Sequence, residues 1–338
     1  MSDATLYLSV GGKMITHSPR GGEALSEPWW DFGWRPKDMC TDEQNELREQ
    51  HDASIPHHAA PYRGDVKRTA LTSLWKHPAV VKALGYAYSG THQLTGSCVG
   101  AGGGNVACTN IFREIILGGD WELIILGFYL YTYGRSRFHS GFGGRGEGST
   151  GTGWIKAALE DGFLGNHHEG LPKPKNTDGL IWGKAEELLW SDGGRAPCTE
   201  WLEEGRKRRF QSGSRARNAD EVRDRLIAGY SSTCASMYGH NPRIEKGVLL
   251  GRKGPRWSHQ MGILDWWDHP ELGEIFWLHN QWGLRAHGIC PSGMPPGGVW
   301  ILKEDVEWIC RTGEVYTPGA HVGYPAPDFD VPWIILAA

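Results

Sequence analysis

Cys98 has a local sequence that favours nucleophilic chemistry. It closes a turn of small residues at 93–99, and a segment with helical periodicity runs on from it to Leu117. A cysteine at the start of a helix lies in the positive end of the helix dipole, which stabilises the thiolate. This placement predicts a nucleophile, and a nucleophile needs a base from elsewhere in the chain.

His259 and Asn280 lie in two later segments that could supply and orient that base. Residues 257–265 read Trp-Ser-His-Gln-Met-Gly-Ile-Leu-Asp, and residues 276–283 read Phe-Trp-Leu-His-Asn-Gln-Trp-Gly. The histidine follows Cys98 by 161 positions, and the asparagine follows the histidine by 21. The order is therefore cysteine, histidine, asparagine.

These three segments resemble papain-family (C1-type) cysteine peptidases, closest in style to bacterial and phage relatives without a prodomain. That family carries Gln…Gly-Ser-Cys at the start of its central helix, a Gly/Ser-His-Ala-hydrophobic strand and an Asn-Ser-Trp-Gly segment. Its histidine and asparagine follow the cysteine by about 130–150 residues. The similarity covers about residues 85–305, including the segment 129–135 and the helix that follows the glycine-rich loop 141–153.

The resemblance implies a catalytic triad with Cys98 as nucleophile, His259 as base and Asn280 as the residue that orients the imidazole. The implied reaction is hydrolysis of a polypeptide through a thioester, with neither a cofactor nor a metal. The implied supporting residues are Trp282 as a shield for the histidine, Gln93 in the oxyanion hole, and Gly151 and Gly153 as substrate-binding glycines.

The oxyanion residue has an alternative. Gln93 precedes Cys98 by five positions where the family has six. Either the turn is one residue shorter or His92 takes the oxyanion position.

The resemblance also implies a papain-like α+β fold, with a helical left domain, a β-rich, barrel-like right domain and the active-site cleft between them. The order of predicted elements agrees, because helices precede strands. We expect an irregular N-terminal arm at 1–85, the helical domain with the nucleophile at 86–180, the β-rich domain at 181–310 and a C-terminal tail at 311–338.

Local patterns predict the individual elements. Helices are expected at 41–51, 77–86, 98–117, 121–133, 154–161 and 219–228, and strands at 230–238, 247–250, 261–267, 274–279 and 299–302. Glycines at 100 and 102–104 weaken the central helix by about 0.5–1 kcal/mol each relative to alanine. Close packing of another element against them would compensate.

Composition indicates the cellular compartment and the classes of binding partner to expect. The net charge of -4 gives no reason to expect nucleic acid or an anionic membrane as a partner. The apolar run 123–133 is too short to span a bilayer, and the first 20 residues lack the apolar core of a signal peptide. Seven cysteines without a Cys-x-x-Cys pair indicate a reducing compartment. We therefore expect cytoplasmic synthesis without export.

Three other motifs could each be a binding site or a pattern without a binding function. Residues 141–146 fit Gly-x-Gly-x-x-Gly, but no strand pattern precedes them and no Lys-Ser/Thr follows, which argues against nucleotide binding. The histidine pairs at 57–58 and 167–168 lack partners at ligand spacing, so no metal site is predicted. The basic run 206–209 is typical of a solvated loop more than of a phosphate site.

A second function fits the same sequence. The irregular residues 1–65 and the apolar segment 331–336 favour a structural or assembly protein, such as a virion component of a tailed phage, that retains the fold with little or no protease activity. The arm and the tail would then contact protein partners or other copies of the chain. A transglutaminase-like or amidase activity on the same triad is a third alternative.

Overall fold

The computed structural model describes residues 6–10, 13–17, 33–57, 70–85, 88, 90–118, 126–166, 168–175, 181–283, 286–288, 294 and 296–321. The helices in these ranges are α1 (Asp42–Ser54), α2 (Pro78–Leu84), α3 (Cys98–Gly118), α4 (Tyr129–His139), α5 (Gly151–Glu160), α6 (Lys184–Trp190), α7 (Leu202–Arg206), α8 (Ala219–Ile227) and α9 (Lys303–Thr312). Short 3-10 helices span Lys37–Met39 and Ala70–Lys76.

The strands form a hairpin and a large sheet. They are β1 (Leu6–Val10), β2 (Lys13–His17), β3 (Phe210–Arg215), β4 (Ser232–Ser236), β5 (His240–Glu245), β6 (Val248–Lys253), β7 (His259–His269), β8 (Gly273–His279), β9 (Gly298–Leu302) and β10 (Glu314–His321). β1 pairs with β2, and the other eight strands form one sheet in the order β3-β10-β4-β7-β8-β9-β6-β5. The helices and this sheet confirm the expected α+β class.

The sheet is open. All its neighbouring strands are antiparallel except the β6–β9 pair, which is parallel. Within the described ranges, the edge strands β3 and β5 do not pair with each other. The β-rich part is therefore a sheet with two edges, where a barrel-like domain was expected.

Helix α3 joins the helical and β-rich parts of the molecule. Its apolar residues Val106 and Phe112 are buried in the same core as Trp277 and Trp300 of the sheet. A second core, centred on Tyr129 and neighbouring aromatic side chains, packs the helices α4 and α6 together. The start of α3, where Cys98 lies, is thereby held between the two parts.

One predicted helix has different bounds. The expected helix at 121–133 begins only at Tyr129 and continues to His139, while 119–125 lie outside the described residues. Gly127 forms an isolated antiparallel bridge with Gly165 instead of entering the helix. This extended pairing just before Phe128 sets the later start.

One element in the expected tail and one in the expected arm can be compared with the predictions. Residues 314–321, predicted as part of a tail, form β10 between β3 and β4, inside the sheet. At the other end, the expected helix after Thr41 is present as α1, and Thr41 closes a capping box with Gln44. Residues 322–338 lie outside the described residues, so the expected docking of 331–336 remains a prediction.

Candidate active site

The β7–β8 hairpin brings the predicted histidine and asparagine together. His259 is the first residue of β7, and Asn280 directly follows the last residue of β8. Because the two strands are antiparallel, with Gly262 opposite His279, these ends meet at one edge of the hairpin. The His259 Nε2 and Asn280 Oδ1 atoms lie 2.8 Å apart.

Cys98 lies at the same place. As the first residue of α3, it presents its sulfur to β7, and the backbone N–H of Gln260 donates to Sγ over 3.3 Å. Gln260 is the neighbour of His259 in the chain. The structure therefore pairs His259 with Asn280 and places the sulfur of Cys98 against the next residue of β7, while no hydrogen bond joins the sulfur to the imidazole in the described part of the chain.

The hydrogen bonds of Asn280 determine the tautomer of His259. Asn280 Oδ1 can only accept, and it also receives the backbone N–H of Gln281 over 2.7 Å. His259 Nε2 must therefore carry the proton in the Nε2–Oδ1 hydrogen bond. Its Nδ1 has no hydrogen-bond partner among the described residues, so its lone pair is available to a thiol proton. The centroids of the Trp282 ring and the His259 imidazole lie 4.7 Å apart, which fits the predicted shielding role.

A second histidine holds Asn280 from the other side. Asn280 Nδ2 lies 2.9 Å from Nε2 of His287 and donates to it. The sequence pattern did not indicate this residue, since it lies in a short turn without periodicity. His240 packs on His287 with ring centroids 4.8 Å apart, and all three imidazoles at this edge are buried.

A buried carboxylate fixes the turn before the nucleophile. Glu187 of α6 accepts hydrogen bonds from the backbone N–H of Leu94 and from the hydroxyls of Thr95, Ser97 and Tyr129, at 2.5–2.8 Å. Burial raises the pKa of this carboxyl above its usual value. No local pattern indicated this role, because the four donors lie about 60 to 90 positions away in the chain.

The side chain of Gln93, the predicted oxyanion residue, hydrogen-bonds to the nearby backbone of Thr95. Gln93 Nε2 donates to the backbone oxygen of Thr95 over 2.9 Å, and Oε1 has no partner among the described residues. His92, the alternative, forms an isolated bridge with Ile181, and burial lowers the pKa of its imidazole. The oxyanion role of either residue remains a prediction.

The two predicted substrate-binding glycines lie in the first turn of α5. The N–H of Gly151 donates to Glu314 over 2.8 Å, and that of Gly153 donates to the capping hydroxyl of Thr150. A side chain on Gly153 would overlap Ser140 of α4. In the structure, Gly151 and Gly153 hydrogen-bond to Glu314 and Thr150, and Gly153 allows close packing. Their role in substrate binding remains a prediction.

Residues of the N-terminal arm occupy the space beside the nucleophile. Gly33 packs so closely that a Cβ on it would overlap the sulfur of Cys98. The backbone around Trp34 pairs with Ser149 on one side, through hydrogen bonds of 2.8 and 3.1 Å, and with Ser258 on the other. Cys98 is fully buried in this arrangement, and Gly33 lies directly against its sulfur.

The indole of Trp34 enters a pocket that ends in Glu314 of β10. Its Nε1–H donates to one carboxylate oxygen over 2.8 Å, and Arg48 of α1 pairs with the other over 2.5 Å. Burial raises the pKa of the Glu314 carboxyl, but Arg48 and the hydrogen bonds from Thr152 and Trp34 outweigh it, and the pKa is lowered overall. Glu314 is therefore a buried, ionised group.

Burial keeps the Cys98 thiol and the His259 imidazole neutral in this arrangement. It raises the pKa of the Cys98 thiol to about 12. It also lowers the pKa of His259 to about 4, although the hydrogen bond to Asn280 acts in the opposite direction. At neutral pH the covered site therefore holds a thiol and a neutral imidazole.

The competing motifs do not form sites in the described residues. Residues 135–139 before the glycine-rich segment belong to helix α4, which does not fit the strand of a nucleotide-binding motif. His168 pairs with Glu204, while His58 and His167 lie outside the described residues. Two residues of the basic run, Lys207 and Arg208, also pair with Glu204.

The described residues contain neither a metal-binding cluster nor a helix that could span a membrane. No group of three histidine, cysteine, aspartate or glutamate side chains in these ranges could hold a metal ion. Of the helices that the structure describes, none combines the length and apolar character needed to cross a bilayer.

Comparison with known proteins bears on the fold. No protein-family model and no curated protein sequence matches the chain. Among solved structures it is similar to xylellain, a cysteine protease from Xylella fastidiosa, with 14% sequence identity, a TM-score of 0.50, and coverage of 86% of this chain and 96% of that one. It is also similar to procathepsin B S9 from Trypanosoma congolense, with 11% identity, a TM-score of 0.48, and coverage of 85% and 91%. The chain thus has the papain-like α+β fold that the resemblance implied.

Proposed function

We propose that the protein is a C1-type thiol peptidase and that the structure represents its closed state. The observation that carries this proposal is the arrangement of Cys98, His259 and Asn280, in which one nitrogen of the imidazole is fixed by the amide and the other is free for the thiol proton. Papain-like folds also support other functions, so the site carries the argument more than the fold does.

The proposed reaction needs no group beyond these side chains and water. The proton of Cys98 moves to His259 Nδ1, and the thiolate attacks the carbonyl carbon of the scissile amide. The C–N bond breaks, the amine leaves with the proton from the imidazolium, and a thioester remains. Water, deprotonated by the imidazole, then releases the acid and restores the thiol.

The arm must move before this reaction can begin. Gly33 lies against the sulfur, and the fully buried Cys98 leaves no access for a substrate carbonyl in this arrangement. The buried Arg48–Glu314 pair joins α1 to the body, and removing one partner of a buried pair costs about 3–5 kcal/mol. Arg48→Ala should therefore favour arm release.

Hydrolysis of quenched-fluorescent peptides and casein by the full chain tests this proposal. We expect slow cleavage by the wild type, at least about tenfold faster cleavage by Arg48→Ala, and none by Arg48→Ala with Cys98→Ala. Lys37→Ala is a matched control, since Lys37 lies in the same arm but makes an exposed pair with Glu49.

Absence of hydrolysis in all variants, with arm release verified by hydrogen exchange over 33–54, would contradict the peptidase assignment. That result would favour the alternative of a structural or assembly protein that retains the fold.

A further inference from the structure

Arg137 of α4 is a buried cation that binds backbone carbonyl groups. Its side chain is 4% exposed, and within the described ranges its guanidinium hydrogen-bonds only to main-chain oxygens. A buried charge is costly unless polar groups surround it, so these carbonyls must be held towards it. The acceptors are the oxygens of Ser191 at 3.0 Å, Glu147 at 3.0 Å, Gly148 at 2.5 Å and Gly144 at 3.4 Å.

Three of these oxygens belong to the segment 144–148, which precedes α5. In a trans peptide unit the C=O and N–H bonds point in opposite directions. Because Arg137 holds the carbonyl of Gly148 towards α4, the N–H of Ser149 in the same unit points away from α4. This N–H donates to the oxygen of Gly33 in the arm over 3.1 Å.

The preceding peptide unit is oriented in the same way. Arg137 holds the carbonyl of Glu147, so the N–H of Gly148 points to the other side. There it donates to the oxygen of Gly96 over 3.0 Å and to the hydroxyl oxygen of Tyr133 over 2.9 Å. Gly96 lies in the turn before the nucleophile. One guanidinium therefore sets the direction of two consecutive N–H groups beside the cleft.

The arm shares this segment in the closed state. Arg35 donates its backbone N–H to the oxygen of Ser149 over 2.8 Å and a guanidinium N–H to the oxygen of Glu147 over 3.1 Å. Both contacts are lost when the arm leaves. Within the described ranges, Arg137 is then the side chain that still holds the Glu147 oxygen, while Ser149 N–H and C=O become open to another peptide.

We propose that Arg137 is a positioning residue that keeps the backbone of 147–149 oriented for pairing with the main chain of a peptide substrate. The inference rests on the proposed peptidase function. Arginine suits this role because its planar guanidinium offers five donors at fixed angles, whereas lysine has one nitrogen. The turn before Cys98 has separate support from Glu187, so loss of Arg137 should weaken substrate binding more than thiol reactivity.

Peptide hydrolysis by the full chain tests the proposal. In the Arg48→Ala background, Arg137→Lys should raise KM for the quenched-fluorescent peptide about tenfold and change kcat by less than about threefold. Alkylation of Cys98 by iodoacetamide, which needs no main-chain pairing, should also change by less than about threefold. Arg135→Lys is the matched control and should leave KM within about twofold, since Arg135 is buried on the same helix but pairs with Asp161.

Amide hydrogen exchange tests the orientation without any need for activity. In the closed chain, with Arg48 intact, Arg137→Lys should speed exchange of the Gly148 and Ser149 amides at least about tenfold. Mass spectrometry with electron-transfer fragmentation resolves these two residues. Arg135→Lys should leave their exchange rates unchanged.

The outcomes separate the inference from the proposed function. An unchanged KM in folded Arg137→Lys overturns the positioning role and leaves the peptidase function standing. Unchanged exchange at Gly148 and Ser149 overturns the orientation by the guanidinium. If Arg48→Ala hydrolyses no peptide, the proposed function is overturned together with the substrate-binding role, while the exchange rates still decide the orientation.

A variant that does not fold also gives a decision. If Arg137→Lys unfolds, Arg137→Gln, which keeps two N–H donors, is measured in its place. Failure of both to fold, while Arg135→Lys folds, would assign Arg137 a purely structural role and overturn the proposal.

Discussion

At the residue scale, His287 is a positioning residue that the sequence did not reveal. Its Nε2 accepts from Asn280 Nδ2, so the amide of Asn280 can present only Oδ1 to His259. Oδ1 stabilises the protonated imidazole, because the hydrogen bond from His259 Nε2–H strengthens when the ring is charged. His287 thereby acts on the imidazole through the asparagine.

Replacing this acceptor should alter the pH profile of catalysis. We expect His287→Leu, in the Arg48→Ala background, to lower kcat about tenfold with little change in KM. The alkaline limb should also move to lower pH, because His259 loses its proton more easily. His287→Gln supplies an oxygen acceptor and should restore most of the rate. A rate loss without a shifted limb, or no recovery in His287→Gln, would assign His287 a packing role alone.

Cys98, His259 and Asn280 could be selected as candidates from sequence, because each lies in a short segment whose pattern is local, and their catalytic role remains a prediction. Glu187, Glu314 and His287 were not, since each acts through contacts between distant parts of the chain or in an irregular turn. Their chemical types alone do not distinguish them from the other charged residues.

At the element scale, the glycines of α3 show how packing overrides local propensity. A Cβ on Gly102 would lie 2.8 Å from the carbonyl oxygen of Gln260, and one on Gly100 would meet the backbone of Tyr129 at 3.0 Å. The helix therefore forms despite its glycines because they let β7 and α4 approach closely. The sequence predicted this compensation but not which elements provide it.

Alanine at position 102 should reverse the usual effect of a helical glycine replacement. Gly→Ala stabilises an unobstructed helix by about 0.5–1 kcal/mol. We expect Gly102→Ala to destabilise the protein by about 1–3 kcal/mol, since the contact is with backbone that must shift. Urea unfolding measures the change. Gly143→Ala, with no neighbour within 4 Å of its Cβ, is the control and should change stability by less than about 0.5 kcal/mol. A stabilised Gly102→Ala would contradict this packing.

Strand β10 was not predicted, because its residues were assigned to the C-terminal tail. Its sequence contains Pro318 and Gly319, which normally argue against a strand inside a sheet. Pro318 lies opposite Gly213 of β3, and the pairing with β4 involves only residues 314–316. The proline therefore lies where β10 has passed the end of its pairing with β4.

At the scale of the whole molecule, the buried imidazoles link stability to pH. Burial lowers the pKa of His259 to about 4 and that of His287 to about 3, and the pKa of His240 is lowered in the same direction. Unfolded histidine titrates near 6.5. Between these values the unfolded chain binds more protons, so stability falls as the pH drops below about 6.5.

The free energy of unfolding should therefore decrease on acidification. Each fully buried imidazole contributes a loss of about 2 kcal/mol between pH 7.5 and pH 5, so three rings that stay neutral in the folded state give a total of about 6 kcal/mol. Urea denaturation at the two pH values measures it. Equal stability at pH 7.5 and pH 5 would show that these rings are solvated.

Contacts of Trp34 and Arg48 join the N-terminal part of the described chain to the sheet and to the start of α3. Trp34 and Arg48 from the arm meet Glu314 from the last described strand, and Cys98 belongs to the same buried cluster as Trp34. The resemblance implied the papain-like fold, which is confirmed, but the sequence did not indicate where residues 33–54 lie. That position depends on charges more than 260 residues apart in the chain.

Site-resolved alkylation of Cys98 by iodoacetamide tests the central claim most directly. In the wild type the covered thiol should react more slowly than free cysteine at pH 6. In Arg48→Ala, once the arm is released, Cys98 should react at least about tenfold faster than free cysteine at that pH, and His259→Ala should abolish the gain. Alkylation no faster than free cysteine in the opened variant would contradict the thiol–imidazole site.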